Sequence, residues 1–191
     1  MHHRTRIKIC GLTREGDVDD AVEAGADAIG FVLYPPSPRH VDVERAAVLA
    51  RRLPPFVTPV LLFVNGETEA VQAALRAVSG AVAQFHGDES PAACAAAAPT
   101  GVRWIRAARM APGFGLLDFA QEFSAAQALL LDAHVDAYGG AGKVFDWSLV
   151  PPGVPARLVL SGGLHAANVA QGIAQVRPWA VDVSSGVERS K

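Results

Sequence analysis

Short runs of hydrophobic residues alternate with stretches of helical spacing along the whole chain. The apolar runs predict strands at Ile7–Ile9, Ala28–Leu33, Pro59–Val64, Ala81–Phe85, Arg103–Ala107, Ala128–Leu131, Leu158–Leu160 and Ala180–Val183. Most are continuous rather than alternating, the pattern of parallel strands covered on both faces. Between them, Asp17–Ala26, Val43–Arg52, Glu67–Val78, Ser90–Ala97, Leu116–Ser124 and Ala166–Val176 have helical spacing and helix-forming composition. Asp42 and the Asn65-Gly66 pair read as helix-start signals. Ala133–Val150 reads as a longer Gly-containing loop with one short helix.

Eight strand segments interleaved with helices predict an α/β fold of the (β/α)8 TIM-barrel type, more readily than a doubly wound sheet. No composition shift divides residues 1–191, so we expect a single barrel domain. Only Ser184 to Lys191 follow the eighth strand. The pattern therefore lacks a last helix, and we expect the natural chain to continue further.

Composition narrows the function classes. Half the residues are hydrophobic and the formal net charge is −2, so neither disorder nor binding to nucleic acid or an anionic membrane is expected. No apolar run approaches the roughly 20 residues of a membrane span, and Met1-His2-His3-Arg4 does not open a signal peptide. Two cysteines, Cys10 and Cys94, are too few for a disulfide scaffold and suit a reducing cytoplasm. The histidines are scattered without metal-ligand spacing, so no metal is expected.

In a barrel the residues at the strand ends converge on one face. Here they are Cys10, Tyr34–Arg39, Asn65, His86-Gly87, Arg109, Asp132, Ser161-Gly162-Gly163 and Asp182–Gly186. The loops at Gly162-Gly163 and Ser184-Ser185 follow strands seven and eight, where barrel enzymes often bind phosphate. Their glycines admit close backbone approach, and N–H and hydroxyl groups can donate to an anion. Asp182 joins them as a substrate-binding candidate. Gly139-Gly140-Ala141-Gly142-Lys143 fails as a nucleotide-binding P-loop, since Ala137 and Val144 stand where glycine and Ser or Thr are required. It reads instead as a loop over the site.

Cys10 and Asp132 are the acid–base candidates. A thiol with a pKa of about 8.5 is a few per cent thiolate at neutral pH, and a neighbouring cation raises that share. Lys8, two residues earlier on the same strand, could face the same side one layer deeper. Inert burial is the alternative for any lone cysteine, and Cys94 in its alanine-rich segment fits it. Asp132 could equally cap a turn. Arg39, after the rigid Pro35-Pro36-Ser37-Pro38 stretch, suits a carboxylate held by two bonds, or simply the surface. His86 could line the pocket or satisfy its own turn.

Taken in order, several stretches resemble the phosphoribosylanthranilate isomerase family, barrel enzymes of tryptophan biosynthesis. They are Lys8-Ile9-Cys10-Gly11-Leu12-Thr13, Gly25–Val32, Ser37-Pro38-Arg39, Val82–Gly87, Leu130-Leu131-Asp132, Gly139–Trp147, Leu160–Leu164 and Val181–Glu188. The resemblance implies an Amadori rearrangement of a phosphorylated small-molecule substrate without a cofactor. It makes Asp132 the general acid that opens the ribose ring and Cys10 the general base at C2′. It also makes Arg39 the holder of the anthranilate carboxylate, with the two late loops holding the phosphate. The sequence leaves monomer and homodimer equally open. Two departures stand out: Ala141 replaces a usual threonine, and the family continues into a final helix. The histidine-pathway isomerase is a rival, but it carries an aspartate where this chain has Cys10 and needs a second phosphate site. A non-catalytic barrel that binds a phosphorylated ligand is the rival of another class.

Overall fold

The computed structural model describes residues 4–133 and 144–188. Eight parallel strands close on themselves in chain order, β1 Arg6–Cys10, β2 Ala28–Val32, β3 Thr58–Phe63, β4 Val82–Phe85, β5 Trp104–Met110, β6 Ala128–Ala133, β7 Leu158–Leu160 and β8 Ala180–Val183. β8 pairs back onto β1, which completes the barrel. Among the described residues six helices cover it: α1 Glu15–Glu23, α2 Val43–Ala50, α3 Thr68–Ala77, α4 Pro91–Ala97, α5 Leu116–Glu122 and α6 Val169–Val176. In the β6–β7 crossover the described residues form a 3₁₀ turn at Trp147–Leu149, and another follows β8 at Ser185–Val187. None of the described helices is long and apolar enough to cross a membrane.

Strand periodicity sorts the side chains into two cores. Ile29, Phe31, Leu61, Phe63, Phe85, Leu129, Leu131, Leu160 and Val181 point outward and pack under the helices in one large cluster. Alternate residues point inward, where Ala107, Ala128, Leu130, Val159 and Ala180 form a second, small cluster. The interior is thus filled low down by small and branched side chains. Polar residues continue the same inward rows toward the carboxyl ends of the strands: Lys8 and Cys10, Gln84 and His86, Asp132 above Leu130, and Asp182 above Ala180.

Local chemistry explains the helix limits. Asp42 caps α2 by accepting from the Arg45 N–H at 2.7 Å, and Ser90 caps α4 by accepting from the Ala93 N–H at 3.2 Å. Asn65 does not start α3 as its position suggests. It sits at φ 50°, and its side-chain oxygen accepts from the Asp88 N–H at 2.7 Å, tying the β3 loop to the β4 loop. α1 ends three residues earlier than its composition suggests, because Ala24 and Gly25 close it with bonds back to Asp20 and Val22.

β5 and β6 run longer than the apolar pattern indicates. Their ladder continues through Arg109↔Asp132 and Met110↔Ala133, so these two polar residues lie within strands rather than in loops. Arg106, inside the predicted strand, has a structural role of its own. It points outward, buried against the rings of Phe119 and Phe123, and donates to the carbonyls of Phe85 and Gly87. That clamp fixes the chain on both sides of His86.

Candidate active site

Cys10 ends β1 and is 6% exposed. The register sets it opposite Gly30 of β2, and Lys8 opposite Asp182 of β8. The Lys8 ammonium lies 2.7 Å from the Asp182 carboxylate, both groups buried in the layer below the thiol. Burial pulls the Lys8 ammonium down, but the charges of Asp182 and Cys10 outweigh it and lift it to about 12. The lysine is therefore a permanent cation beside the sulfur. Burial pushes the Cys10 thiol up, and Lys8 opposes that push through charge and a hydrogen bond. The Asp182 charge adds to the rise and Arg39 opposes it, and the net effect leaves the thiol above its ordinary value.

Gly30 makes this grouping possible. A Cβ there would stand 2.6 Å from Sγ and 3.0 Å from the Lys8 nitrogen. A glycine inside a strand often marks such an approach. Gly30→Ala should displace both groups, lowering kcat by about tenfold and stability by about 1–3 kcal/mol, the cost of overpacking. Steady-state kinetics and a thermal melt check this, and unchanged values of both would refute the crowding.

Asp132 stands at the penultimate position of β6, its side chain 13% exposed. Oδ1 accepts from the Ala133 N–H at 2.9 Å, and Oδ2 lies 3.1 Å from Nε2 of His86. Nδ1 of His86 lies 3.2 Å from the side-chain nitrogen of Gln84. Gly162, at φ +79°, leaves room for the carboxylate: a Cβ there would reach to 2.9 Å from Oδ1 and 2.8 Å from the Ala133 nitrogen.

The loops after β7 and β8 abut. A side chain at Gly186 would overlap the Leu164 carbonyl oxygen. The Gly162-Gly163 turn is braced by Asn168, whose amide donates to the Gly163 carbonyl at 3.0 Å and accepts from the His165 N–H at 2.8 Å. Ser184 reaches the neighbourhood of Gly11, where a Cβ would lie 3.3 Å from its hydroxyl oxygen, and Ser185 opens the 3₁₀ turn. Gly11 itself sits at φ +88° and packs directly against the Arg39 side chain, a position that excludes any larger residue.

Arg39 is 8% exposed. Its Nε and Nη2 donate to the two carboxylate oxygens of Glu188 at 2.5 and 2.7 Å. A guanidinium has five N–H groups, so this pairing leaves the Nη1 side for a second carboxylate.

The model of the N-(5'-phosphoribosyl)anthranilate (PRA) isomerase family matches residues 7–190. A protein of that name from Methylibium petroleiphilum is 68% identical over 188 residues, covering 98% of this chain and 87% of the relative. The chain belongs to the PRA isomerase family. The phosphoribosyl anthranilate isomerase structure from Thermotoga maritima superimposes with a TM-score of 0.86 at 40% identity, covering 98% of this chain and 91% of that one. A further PRA isomerase structure, 37% identical with a TM-score of 0.82, holds reduced 1-(o-carboxyphenylamino)-1-deoxyribulose 5-phosphate. It covers 98% of this chain and 90% of that one.

Membership of the PRA isomerase family makes the chain an isomerase of tryptophan biosynthesis. The structure brings Cys10, Asp132, His86, Gly162, Gly163, Ser184, Ser185 and Arg39 to the carboxyl-terminal end of the barrel. Asp182 lies one layer deeper, with its carboxylate engaged by Lys8. Arg109 belongs to β5 and pairs with Asp88 and the Gly87 carbonyl. The Gly139–Lys143 loop lies outside the described residues. Three residues were not singled out from sequence as part of the site: Gly30, Gln84 and Glu188. A glycine and a glutamine inside otherwise apolar strands were visible signals for the first two. Glu188 carried none, because its pairing with Arg39 joins positions 149 residues apart. Cys94 is fully buried and, chiefly by that burial, pushed up to about 12, the state of an inert core thiol.

Proposed function

We propose that this isomerase converts N-(5-phosphoribosyl)anthranilate to 1-(2-carboxyphenylamino)-1-deoxyribulose 5-phosphate, with Asp132 as general acid and Cys10 as general base. One observation carries the reading: a carboxylate on β6 and a thiol with an adjacent permanent cation on β1 face inward at the same end of one closed barrel. Asp132 gives its proton to the ribose ring oxygen. The C1′–O bond breaks as the anilino nitrogen lone pair forms a C1′=N bond. The Cys10 thiolate then removes the C2′ proton, and those electrons move into a C1′=C2′ enolamine. Reprotonation at C1′, with loss of the C2′ hydroxyl proton, leaves the ketone. Every proton removed is returned, so the reaction is an isomerisation. An acid and a base at separate points suffice for it.

The substrate's two anionic ends find matching groups. Backbone N–H groups of Gly162 and Gly163, with the hydroxyls of Ser184 and Ser185, would hold the phosphate. The free edge of Arg39 would hold the anthranilate carboxylate while Glu188 fixes the guanidinium plane. Asp182, held by Lys8, acts through the cation it positions. The protein would work in the cytoplasm, where its two thiols stay reduced, as a monomer or homodimer.

The test is turnover of freshly prepared phosphoribosylanthranilate, followed by loss of its anthranilate-type fluorescence. Wild type should turn it over. Arg39→Met should raise KM about tenfold or more with a smaller change in kcat, since it removes a charge-assisted bond to a group that does not react. No turnover by folded wild-type protein would leave a ligand-binding barrel instead.

A further inference from the structure

Gln84 is fully buried inside the barrel. Its side-chain oxygen is buried and, among the described residues, has no hydrogen-bond partner. A buried amide oxygen left unpaired costs about 1–3 kcal/mol. An apolar residue of similar shape would avoid that cost, so folding alone gives no reason for a glutamine here. Among the described residues the one side-chain partner of its amide is His86, whose Nδ1 stands 3.2 Å from the Gln84 nitrogen.

A neutral imidazole carries one proton, so the bond made by one nitrogen decides what the other can do. An amide N–H aimed at Nδ1 requires a bare lone pair there. The proton must then sit on Nε2, which faces Oδ2 of Asp132 at 3.1 Å. With the amide reversed, its oxygen would demand a proton on Nδ1, and Nε2 would present a lone pair to the carboxylate. From this geometry we infer that Gln84 is a positioning residue that locks His86 in the Nε2–H tautomer, so that His86 always donates to the general acid.

The inference rests on the reading of Asp132 as the acid. The Ala133 N–H anchors Oδ1 and the His86 N–H anchors Oδ2, which fixes the plane of the carboxyl group from both sides. Each oxygen keeps a second lone pair for the transferred proton. A histidine free to change tautomer would spend part of its time with Nε2 bare, repelling the carboxylate or drawing the acid's proton toward itself and away from the substrate. Two features hold the donor end in place. Arg106 clamps the carbonyls of Phe85 and Gly87, and the His86 N–H donates to the Phe63 carbonyl at 2.9 Å. The ring therefore has a fixed seat, and only its proton needs assigning.

The experiment combines kinetics with imidazole nitrogen NMR of the free enzyme, the His86 signals being identified with a His86→Phe variant. Wild type should show the ring proton on Nε2 with Nδ1 bare. Gln84→Met, which keeps the volume but removes the donor, should let the proton distribute over both nitrogens. It should lower kcat about tenfold with KM changed less than threefold, a fraction of the 10²-fold or more for losing an acid. Gln84→Glu supplies only an acceptor and should place a proton on Nδ1, with kcat lowered at least as far. The NMR reads the Gln84–His86 relation whether or not Asp132 is the acid, and Asp132→Asn kinetics read the acid by themselves. A wild-type ring protonated on Nδ1, an unchanged tautomer in Gln84→Met, or an unchanged kcat in that variant would each overturn the inference.

Discussion

Asp132→Asn and Cys10→Ser should each lower kcat by about 10²-fold or more, the usual scale for removing a general acid or base, with the melting temperature changed little. Asparagine keeps the shape of aspartate, and its oxygen can still accept from His86 or from the Ala133 N–H. What it lacks is a proton that the ring oxygen could take. Serine keeps an acceptor beside Lys8, but its hydroxyl is far too weak an acid to exist as an alkoxide near neutral pH. The two losses should also differ in their pH dependence. Cys10 works as the thiolate, and its burial pushes the thiol above its ordinary value despite Lys8. The active form is thus a minor species at pH 7 that grows as pH rises toward the thiol pKa. In Asp132→Asn, where of the two proposed catalysts only the base still titrates, kcat should climb with pH up to and beyond about 8.5, the ordinary thiol value. In Cys10→Ser that climb should vanish. A serine variant with full activity, or an Asp132→Asn kcat that falls across this range, would remove Cys10 as the base.

The barrel was legible because its strands announce themselves twice. Parallel strands under helices read as continuous apolar runs, and β2, β3 and β6 stand out for that reason. The end of β5 was missed instead, since Arg109 at its penultimate position looks like a loop residue until the β6 ladder is formed against it. The site was legible where one residue's chemistry suffices, as with a thiol at a strand end or a glycine pair after β7. It was not legible where the chemistry belongs to a pair. Arg39 alone could be a surface residue, and only the closed barrel brings Glu188 against it. Lys8 could be seen to share a face with Cys10, but the counter-ion that keeps it there lies 174 residues away. Strand register supplies such partners, and register is set by the whole sheet.

That distant counter-ion sets up the second large effect. Lys8→Met should destabilise the fold by about 3–5 kcal/mol, because it strands the Asp182 carboxylate, 6% exposed, without a partner. For a chain of this size the melting temperature should fall by roughly 10 °C. The sign of the pH dependence follows from the lysine. Its pKa rises on folding to about 12, so the pair's contribution is complete below the unfolded value of about 10.4 and is lost only as pH climbs through 12. The loss in the variant should therefore be the same across the neutral range. Stability alone does not show why the chain keeps this pair, since apolar replacements for both partners often restore what one deletion takes away. The double variant Lys8→Met with Asp182→Leu should recover most of the lost melting temperature. If the pair served only packing, kcat would recover with it. Instead Cys10 would face an apolar wall, with burial still pushing the thiol up and no ammonium opposing it. We expect kcat to remain depressed about tenfold or more and its rise with pH to move further alkaline, as for a thiolate that has lost a nearby cation. A double variant as active as wild type at neutral pH would make the ion pair structural and leave Cys10 without its activating charge.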